Sequence, residues 1–493
     1  MKAMVSPFFN NSDSDADVVL RSCDNILFYV HKLVLRLASP VFRDVFSVPQ
    51  PLDSDAQVRD AQSDLPLIPV SESSTILECL LRFSYPGIAN TDIDTLSLSE
   101  IGYLLDAAIK YEVTYFVGEL KATLLTIAHR DPVAVYTIAC RLSLEFEAGF
   151  SAERTLNTTE LEYSDAELDT ISAGMLHRLM TFRSRGIANV GDFTFCHPAP
   201  RESRSASGSR QTRLPWPPTE VPDASLSPDI ILRTADGATH PAHKSILQMS
   251  STILLHNRST STQEHGSFLP IVEISEDSLI FRVLLHLCYP CVDPVVEDLD
   301  TVSKVLEAAT KYRIKRAVAF AKRICMSSLE SNPLRVFLIA TRHEWEQEAL
   351  EAARVLVLSS DHSALDPYFP EMELIPASTY HRLLEYRRKC DTVLDRVVDS
   401  SRRSSLPNRR RSNLGNNSRT TFPVFIRGYE ALRNGSENDP RRPFVLALPL
   451  LPNSSDTFAP GNEWPNDALL RSWTQKSEEL QKRLCSELDQ IDF

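Results

Sequence analysis

The sequence predicts an α+β fold in which one module, a small sheet flanked by helices, is used twice. Three observations carry that prediction. The stretch Asp17-Val18-Val19-Leu20-Arg21, a polar break, then Val30-His31-Lys32-Leu33-Val34-Leu35 returns as Asp229-Ile230-Ile231-Leu232-Arg233, a break, then Ala242-His243-Lys244-Ser245-Ile246-Leu247. Both aspartates and both histidines lie 212 positions apart (229 − 17 and 243 − 31), and such self-similarity marks a repeated structural unit. In each copy the apolar period changes from two before the histidine to a helical one after it.

The elements follow in order. Residues 1–12, polar and rich in Ser and Asn, are expected to lack structure. Asp17–Arg21 and Ile26–Val30 read as a hairpin around the turn-forming Ser22-Cys23-Asp24-Asn25, and Asp236-Gly237 gives the second copy a stronger hairpin signal. After His31, Leu33, Val34 and Leu37 form one apolar helix face. Ser39-Pro40 reads as an N-cap with proline at the first helical position, opening a helix through Val41, Phe42, Val45 and Phe46, and Ser251 takes the cap place in copy two. Polar loops at 47–64 and 256–268 lead to a strand and helix in each copy, ending at Tyr85-Pro86 and Tyr289-Pro290. The offset is now 204 (289 − 85), as a shorter loop in copy two requires.

Helical blocks come next. Ile101, Leu104, Leu105 and Ala108 are spaced as one helix face, as are Val302, Val305, Leu306 and Ala309. Asp131-Pro132 and Asn332-Pro333 each open a further helix, and Leu176-His177-Arg178-Leu179 is echoed by Tyr380-His381-Arg382-Leu383. The expected organisation is a sheet-and-helix domain at 13–90 with a helical extension at 91–190, and a Pro/Ser/Arg-rich linker at 191–225. A second such domain at 226–292 and its extension at 293–398 follow, then a basic linker and mostly disordered tail at 399–493 with one short charged helix near 467–488.

Bulk properties narrow the function. At 493 residues the chain exceeds one core, and 43% hydrophobic with 24% charged residues is ordinary globular composition. A formal charge of −13 argues against nucleic acid as partner. No run approaches the roughly 18 apolar residues that span a bilayer, and no N-terminal signal is read, so no membrane partner is expected. Nine sparse cysteines point to a reducing setting, cytoplasm or nucleus.

Taken together, the hairpin, the His-Lys helix, Ser39-Pro40-Val41-Phe42 and the helix Leu80-Leu81-Arg82-Phe83-Ser84-Tyr85-Pro86-Gly87 resemble the BTB/POZ domain. The second copy matches in Asp229-Ile230-Ile231-Leu232, Ala242-His243-Lys244-Ser245-Ile246-Leu247 and Leu284-Leu285-His286-Leu287-Cys288-Tyr289-Pro290. The following helices resemble a BACK-like extension, and the whole is similar to BTB-domain proteins abundant in fungi. The resemblance implies a non-enzymatic interaction scaffold or adaptor whose BTB domains pair within one chain or between chains. It also implies a charged pocket at the dimer groove, formed here by Asp17 with Lys32 and Asp229 with Lys244. Buried, such a pair specifies an interface while adding little net stability. Some relatives recruit cullin-type ubiquitin ligases through a hydrophobic-x-Glu element in the loop before the third strand. Residues 47–64 contain no Glu and Glu264 follows Thr262-Gln263, so that element is absent and a cullin partner stays open.

Other candidate chemistry has a plainer reading. His31 and His243 are read as structural residues at the strand-helix junction: the only nearby histidine, His240, corresponds to Phe28 in copy one. Ser39, Ser251, Tyr85 and Tyr289 are read as structural motif residues. Cys288 and Cys291 lack the second pair a zinc site needs. His343-Glu344 lacks the second histidine of a zinc-protease helix, since position 347 is Gln. With 14 glycines there is no phosphate loop, dinucleotide fingerprint or nucleophile elbow, so neither an enzyme nor a cofactor is expected. The segment holding Arg402, Arg403, Arg409, Arg410 and Arg411 is a candidate nuclear-targeting signal, which leaves a nuclear or transcriptional regulator as the competing class.

Overall fold

Short strands, with β-branched runs such as Val18-Val19 and Ile230-Ile231, build the hairpin of each copy. The computed structural model describes residues 4–10, 15–47, 60, 63–85, 93–158, 161–186, 193–198, 228–255, 269–296, 298–358 and 365–405. These fall into two units, one of Met1–Pro200 with Pro376–Ser378 and one of Arg201–Ile375 with Thr379–Phe493.

In unit 1, β1 (Met4–Val5), β2 (Val18–Arg21), β3 (Ile26–Val30) and β4 (Leu67–Pro69) form a sheet of order β1-β3-β2-β4. β2 and β3 are antiparallel with Val19 opposite Tyr29, while β4 on β2 and β1 on β3 are parallel. Asn25 closes the hairpin at φ 64°, a left-handed conformation that asparagine tolerates better than most residues. The helices are α1 (Lys32–Ala38), α2 (Pro40–Val45), α3 (Ser74–Ser84), α4 (Leu98–Lys110), α5 (Thr114–Ile127), α6 (Pro132–Arg141), α7 (Glu145–Thr155), α8 (Asp165–Leu168) and α9 (Ala173–Arg185). Ser39 caps α2, its hydroxyl accepting from the Phe42 N–H at 3.1 Å, and Asp131 caps α6 through the Ala134 N–H, also at 3.1 Å.

Unit 2 repeats the plan. β5 (Ile230–Arg233), β6 (Thr239–Ala242) and β7 (Ile271–Glu273) form a sheet of order β6-β5-β7, with Gly237 at φ 81° in the hairpin turn. The helices are α10 (Lys244–Ser250), α11 (Ser278–Cys288), α12 (Leu299–Lys311), α13 (Lys315–Ser327), α14 (Pro333–Arg342), α15 (Glu346–Leu358) and α16 (Ala377–Ser405). One core runs from Ile230 and Leu232 in the sheet through α11, α12 and α13 to Ile339 in α14.

The structure corrects several sequence expectations. The first 12 residues were expected to lack structure, but 4–10 are ordered. The Ser6 N–H donates to the Leu27 carbonyl at 2.9 Å and the Tyr29 N–H to the Phe9 carbonyl at 3.0 Å. Phe9 is buried with its ring edge-on to Tyr85, and the Arg82 guanidinium lies 3.6 Å from the Phe8 ring centre, so two aromatic side chains outweigh the polar composition. Residues 193–198 are not free linker: Phe195 and Cys196 are buried against unit 1. The helix face of Leu33 and Leu37 points outward; the buried residue of α1 is Leu35. After Ser251 the chain makes a turn over 252–255 rather than a helix, although the serine bonds as Ser39 does. Asn332 precedes Pro333 without capping α14, and α16 continues to Ser405, into the stretch read as linker. The short helix expected near 467–488, Pro86 and Glu264 lie outside the described residues.

One polar node recurs in both units. Glu72 accepts from Lys110 Nζ at 2.7 Å and from the Tyr111 hydroxyl at 2.6 Å, while the Tyr111 carbonyl accepts from Ser39 Oγ at 2.5 Å. Glu276 accepts from Lys311 at 2.6 Å and Tyr312 at 2.5 Å, and the Tyr312 carbonyl takes Ser251 Oγ at 2.5 Å. Burial works to raise the Glu72 and Glu276 carboxyls, but the bonds from the lysine and tyrosine prevail and hold both below the ordinary value of 4.5. A carboxyl depressed on folding contributes stability above its unfolded value and loses it as pH falls through the folded one. Glu72→Gln and Glu276→Gln are each expected to destabilise their own unit by about 1–3 kcal/mol, read as a lowered urea midpoint at pH 7. Each variant should also flatten that unit's stability loss below about pH 4.5.

Candidate interaction surface

The histidine and tyrosine of each copy meet. His31 sits at the N-cap of α1, where its backbone N–H donates to the Tyr85 hydroxyl at 2.7 Å and Nδ1 lies 3.1 Å from the same oxygen. His243 and Tyr289 repeat this at 3.1 Å and 2.9 Å. The tyrosine at the end of α3 or α11 thus anchors the start of α1 or α10. Burial pushes the Tyr85 phenol up to about 12 and that of Tyr289 in the same direction, so both remain hydroxyls.

The aspartates act on backbone rather than on a buried lysine. Asp17 Oδ1 accepts from the Lys32 N–H at 2.7 Å, and Asp229 Oδ1 from the Lys244 N–H at 2.7 Å. Both carboxylates are exposed, and among the described residues no ion pair joins either to the lysine ammonium. Each aspartate thus meets the backbone of its lysine, and among the described residues the buried opposite-charge pair does not form. The carboxylate instead occupies the positive end of a helix, where free N–H groups favour an anion.

The surface beside this cap is apolar in copy one. Leu33 and Leu37, one turn apart on α1, are 68% and 79% exposed, and Met4 and Phe8 are also exposed. In copy two Ser245 replaces Leu33 and Gln248 replaces Arg36, with Met249 at the place of Leu37. The sequence shows Leu33 and Leu37 only as part of one apolar face, and the serine at the place matching Leu33 is a signal that the position faces outward.

Cys288 ends α11, where burial pushes its thiol up to about 12, and Cys291 Sγ donates to the His286 carbonyl at 3.2 Å. His343 follows α14, with Glu344 in a left-handed turn at φ 58°, so the two do not share a helix. Among the described residues no group of three His, Cys, Asp or Glu is placed to hold a metal, and no helix is long and apolar enough to cross a membrane. The backbone of Arg402 and Arg403 lies in the last turns of α16; Arg409, Arg410 and Arg411 lie outside the described residues.

His240 replaces the buried Phe28 of copy one and is itself buried, with its ring 5.8 Å from Phe281 and Nε2 without a hydrogen-bond partner among the described residues. Burial and the neighbouring Arg282 charge depress its basicity against the opposing pull of Asp236. A histidine depressed on folding is protonated more readily when unfolded, so stability falls as pH drops below the ordinary value of 6.5. Unit 2 is expected to weaken between about pH 6.5 and 5 in thermal scans, and His240→Phe to remove most of that loss.

The second structural expectation concerns the caps. Asp17→Ala should cost about 1 kcal/mol of unit 1 stability, whereas Lys32→Ala, which keeps the backbone donor, should cost less than half as much in the same urea titration.

Two comparisons with known proteins bear on these units. The family model described as BTB/POZ domain matches residues 7–127 and 222–329. The matched regions cover β2 to β4 with the helices through α5 in unit 1, and the whole described sheet with the helices through α13 in unit 2. No curated protein matches the chain.

Proposed function

The chain carries two BTB/POZ domains in tandem, modules that self-associate and bind other proteins, and from that premise we propose that it is a non-enzymatic scaffold assembled through its first copy. The observation that carries this reading is the pair Leu33 and Leu37, large apolar side chains left in water on α1. Exposed apolar groups gathered on one helix face gain roughly 25 cal/mol per Å² when a partner covers them. The corresponding helix of copy two presents Ser245 and Met249, one large exposed apolar side chain where copy one has two, so it offers a weaker apolar complement than a second Leu33/Leu37 face does. Copy one is therefore assigned to pairing between chains, and copy two to capture of other protein partners.

Light scattering over a range of concentrations tests the assignment. The wild type is expected to run as a dimer that dissociates on dilution. Leu33→Glu/Leu37→Glu should be monomeric with an unchanged circular dichroism spectrum, and Ser245→Glu/Met249→Glu should remain dimeric. A wild type that stays monomeric at every concentration, or dimerisation lost only in the second pair, overturns it.

A further inference from the structure

The segment 193–198 follows α9 and is strapped down on the helical block of unit 1 by a charged fork. The Glu145 carboxylate accepts from the backbone N–H of Phe195 and, at 2.9 Å, from that of Cys196. Arg178 donates to the carbonyl of Phe195 at 2.7 Å and to that of Cys196 at 3.3 Å. The Phe195 ring fills a pocket of aromatic side chains, 5.2 Å from Phe182 and 6.0 Å from Tyr136. A buried peptide segment with both donors and acceptors met by two ionised side chains is held specifically, because charge-assisted hydrogen bonds are about twice as strong as neutral ones.

The strap brings two cysteines together. Cys196 Sγ donates to the carbonyl of Ala139 in α6 at 3.9 Å, which sets it beside the next residue of that helix, Cys140. Both cysteines are free and fully buried, 56 positions apart in sequence (196 − 140).

We propose that Cys140 and Cys196 form a thiol-disulfide modification site that fastens the strap covalently to α6. The oxidant is a small disulfide such as glutathione disulfide. When the strap opens, one thiolate attacks that disulfide, forming a mixed disulfide and expelling one glutathione thiolate, which takes up the proton released by the first cysteine. The second cysteine's thiolate attacks the mixed disulfide as the strap closes. The Cys140–Cys196 bond forms, a second glutathione thiolate leaves and takes up the other proton, and two thiols have been oxidised as one small disulfide is reduced to two.

The docked pair is protected meanwhile. The neighbouring Cys140 thiol, burial and the Glu145 carboxylate all push the Cys196 thiol up and keep it protonated, and a protonated thiol is a poor nucleophile. Reaction is thereby gated by opening of the strap, and the disulfide records that opening under oxidising conditions. Only positions 197–229 separate Cys196 from the start of β5, so the site controls where the connection between the two units leaves unit 1.

The full-length chain, reduced and then equilibrated in glutathione buffers of increasing disulfide content, provides the test. Free thiols are alkylated in denaturant, and unreduced peptides are mapped by mass spectrometry. The expected product is a peptide pair joined at Cys140 and Cys196. Amide hydrogen exchange at 193–198 should be slowed at least about tenfold in the oxidised chain and be insensitive to oxidant in Cys196→Ser. Recovery of both cysteines alkylated at every buffer composition, linkage of either to a different cysteine, or linkage without slowed exchange overturns the proposal. The wild-type mapping decides the question even if the serine variant fails to fold.

Discussion

The constraint on which both units depend is a carboxylate that has to be satisfied away from water. Glu72 and Glu276 follow the strand that completes each sheet, and a poorly solvated carboxylate there is tolerable only with several donors. A lysine and a tyrosine at the end of the next-but-one helix supply them, and the same tyrosine's carbonyl receives the serine hydroxyl that caps the turn after α1 or α10. Three stretches far apart in sequence are thus fixed by one residue's two polar groups. Displacing any of them leaves a polar atom without its partner, so the sheet, the short helix and the long helix keep their mutual placement.

Much of this was legible in the sequence, and the reasons differ from residue to residue. The hairpins were visible because β-branched runs bracket turn residues, and Ser39-Pro40 was visible because capping chemistry is local. Repetition supplied the rest: Asp17, His31, Lys32 and Tyr85 stood out by recurring at matched places. What did not show was who meets whom. Tyr85 lies 54 residues after His31, whereas the matching pair is 46 apart, and no local rule links them. Asp17 pairs with a backbone group that every residue carries, so the adjacent lysine drew attention away from it. Phe9 and the pair Phe195-Cys196 were hidden for another reason, since each is a short core contribution beside a stretch whose average composition is polar.

The two copies also differ in ways that duplication exposes. The glutamate-tyrosine node and the histidine-tyrosine anchor are the same in both, and these are the interactions that set geometry. Differences collect where geometry is not at stake: Leu33 became Ser245 on an outward face, and Phe28 became His240 in the interior. The first changes what the surface can hold. The second places an ionisable ring in a core whose neighbours include Arg282, a choice that a pure packing requirement does not explain.

Pro241 carries a consequence of its own. In unit 1 the Tyr29 N–H reaches past β3 to the Phe9 carbonyl, so the margin of that sheet is closed by the chain's own first residues. The matching residue in unit 2 is Pro241 (241 − 29 is again 212), in the outermost described strand of its sheet, and proline has no N–H to offer. A foreign strand laid along β6 finds that rung missing. The same sheet margin is therefore guarded twice by different means, once by occupation and once by removing a donor, and each suppresses the edge-to-edge templating through which sheets aggregate. It follows that two near-copies tethered in one chain are poorly able to exchange their margin strands, because the segment that closes the first sheet cannot make its bond on the second.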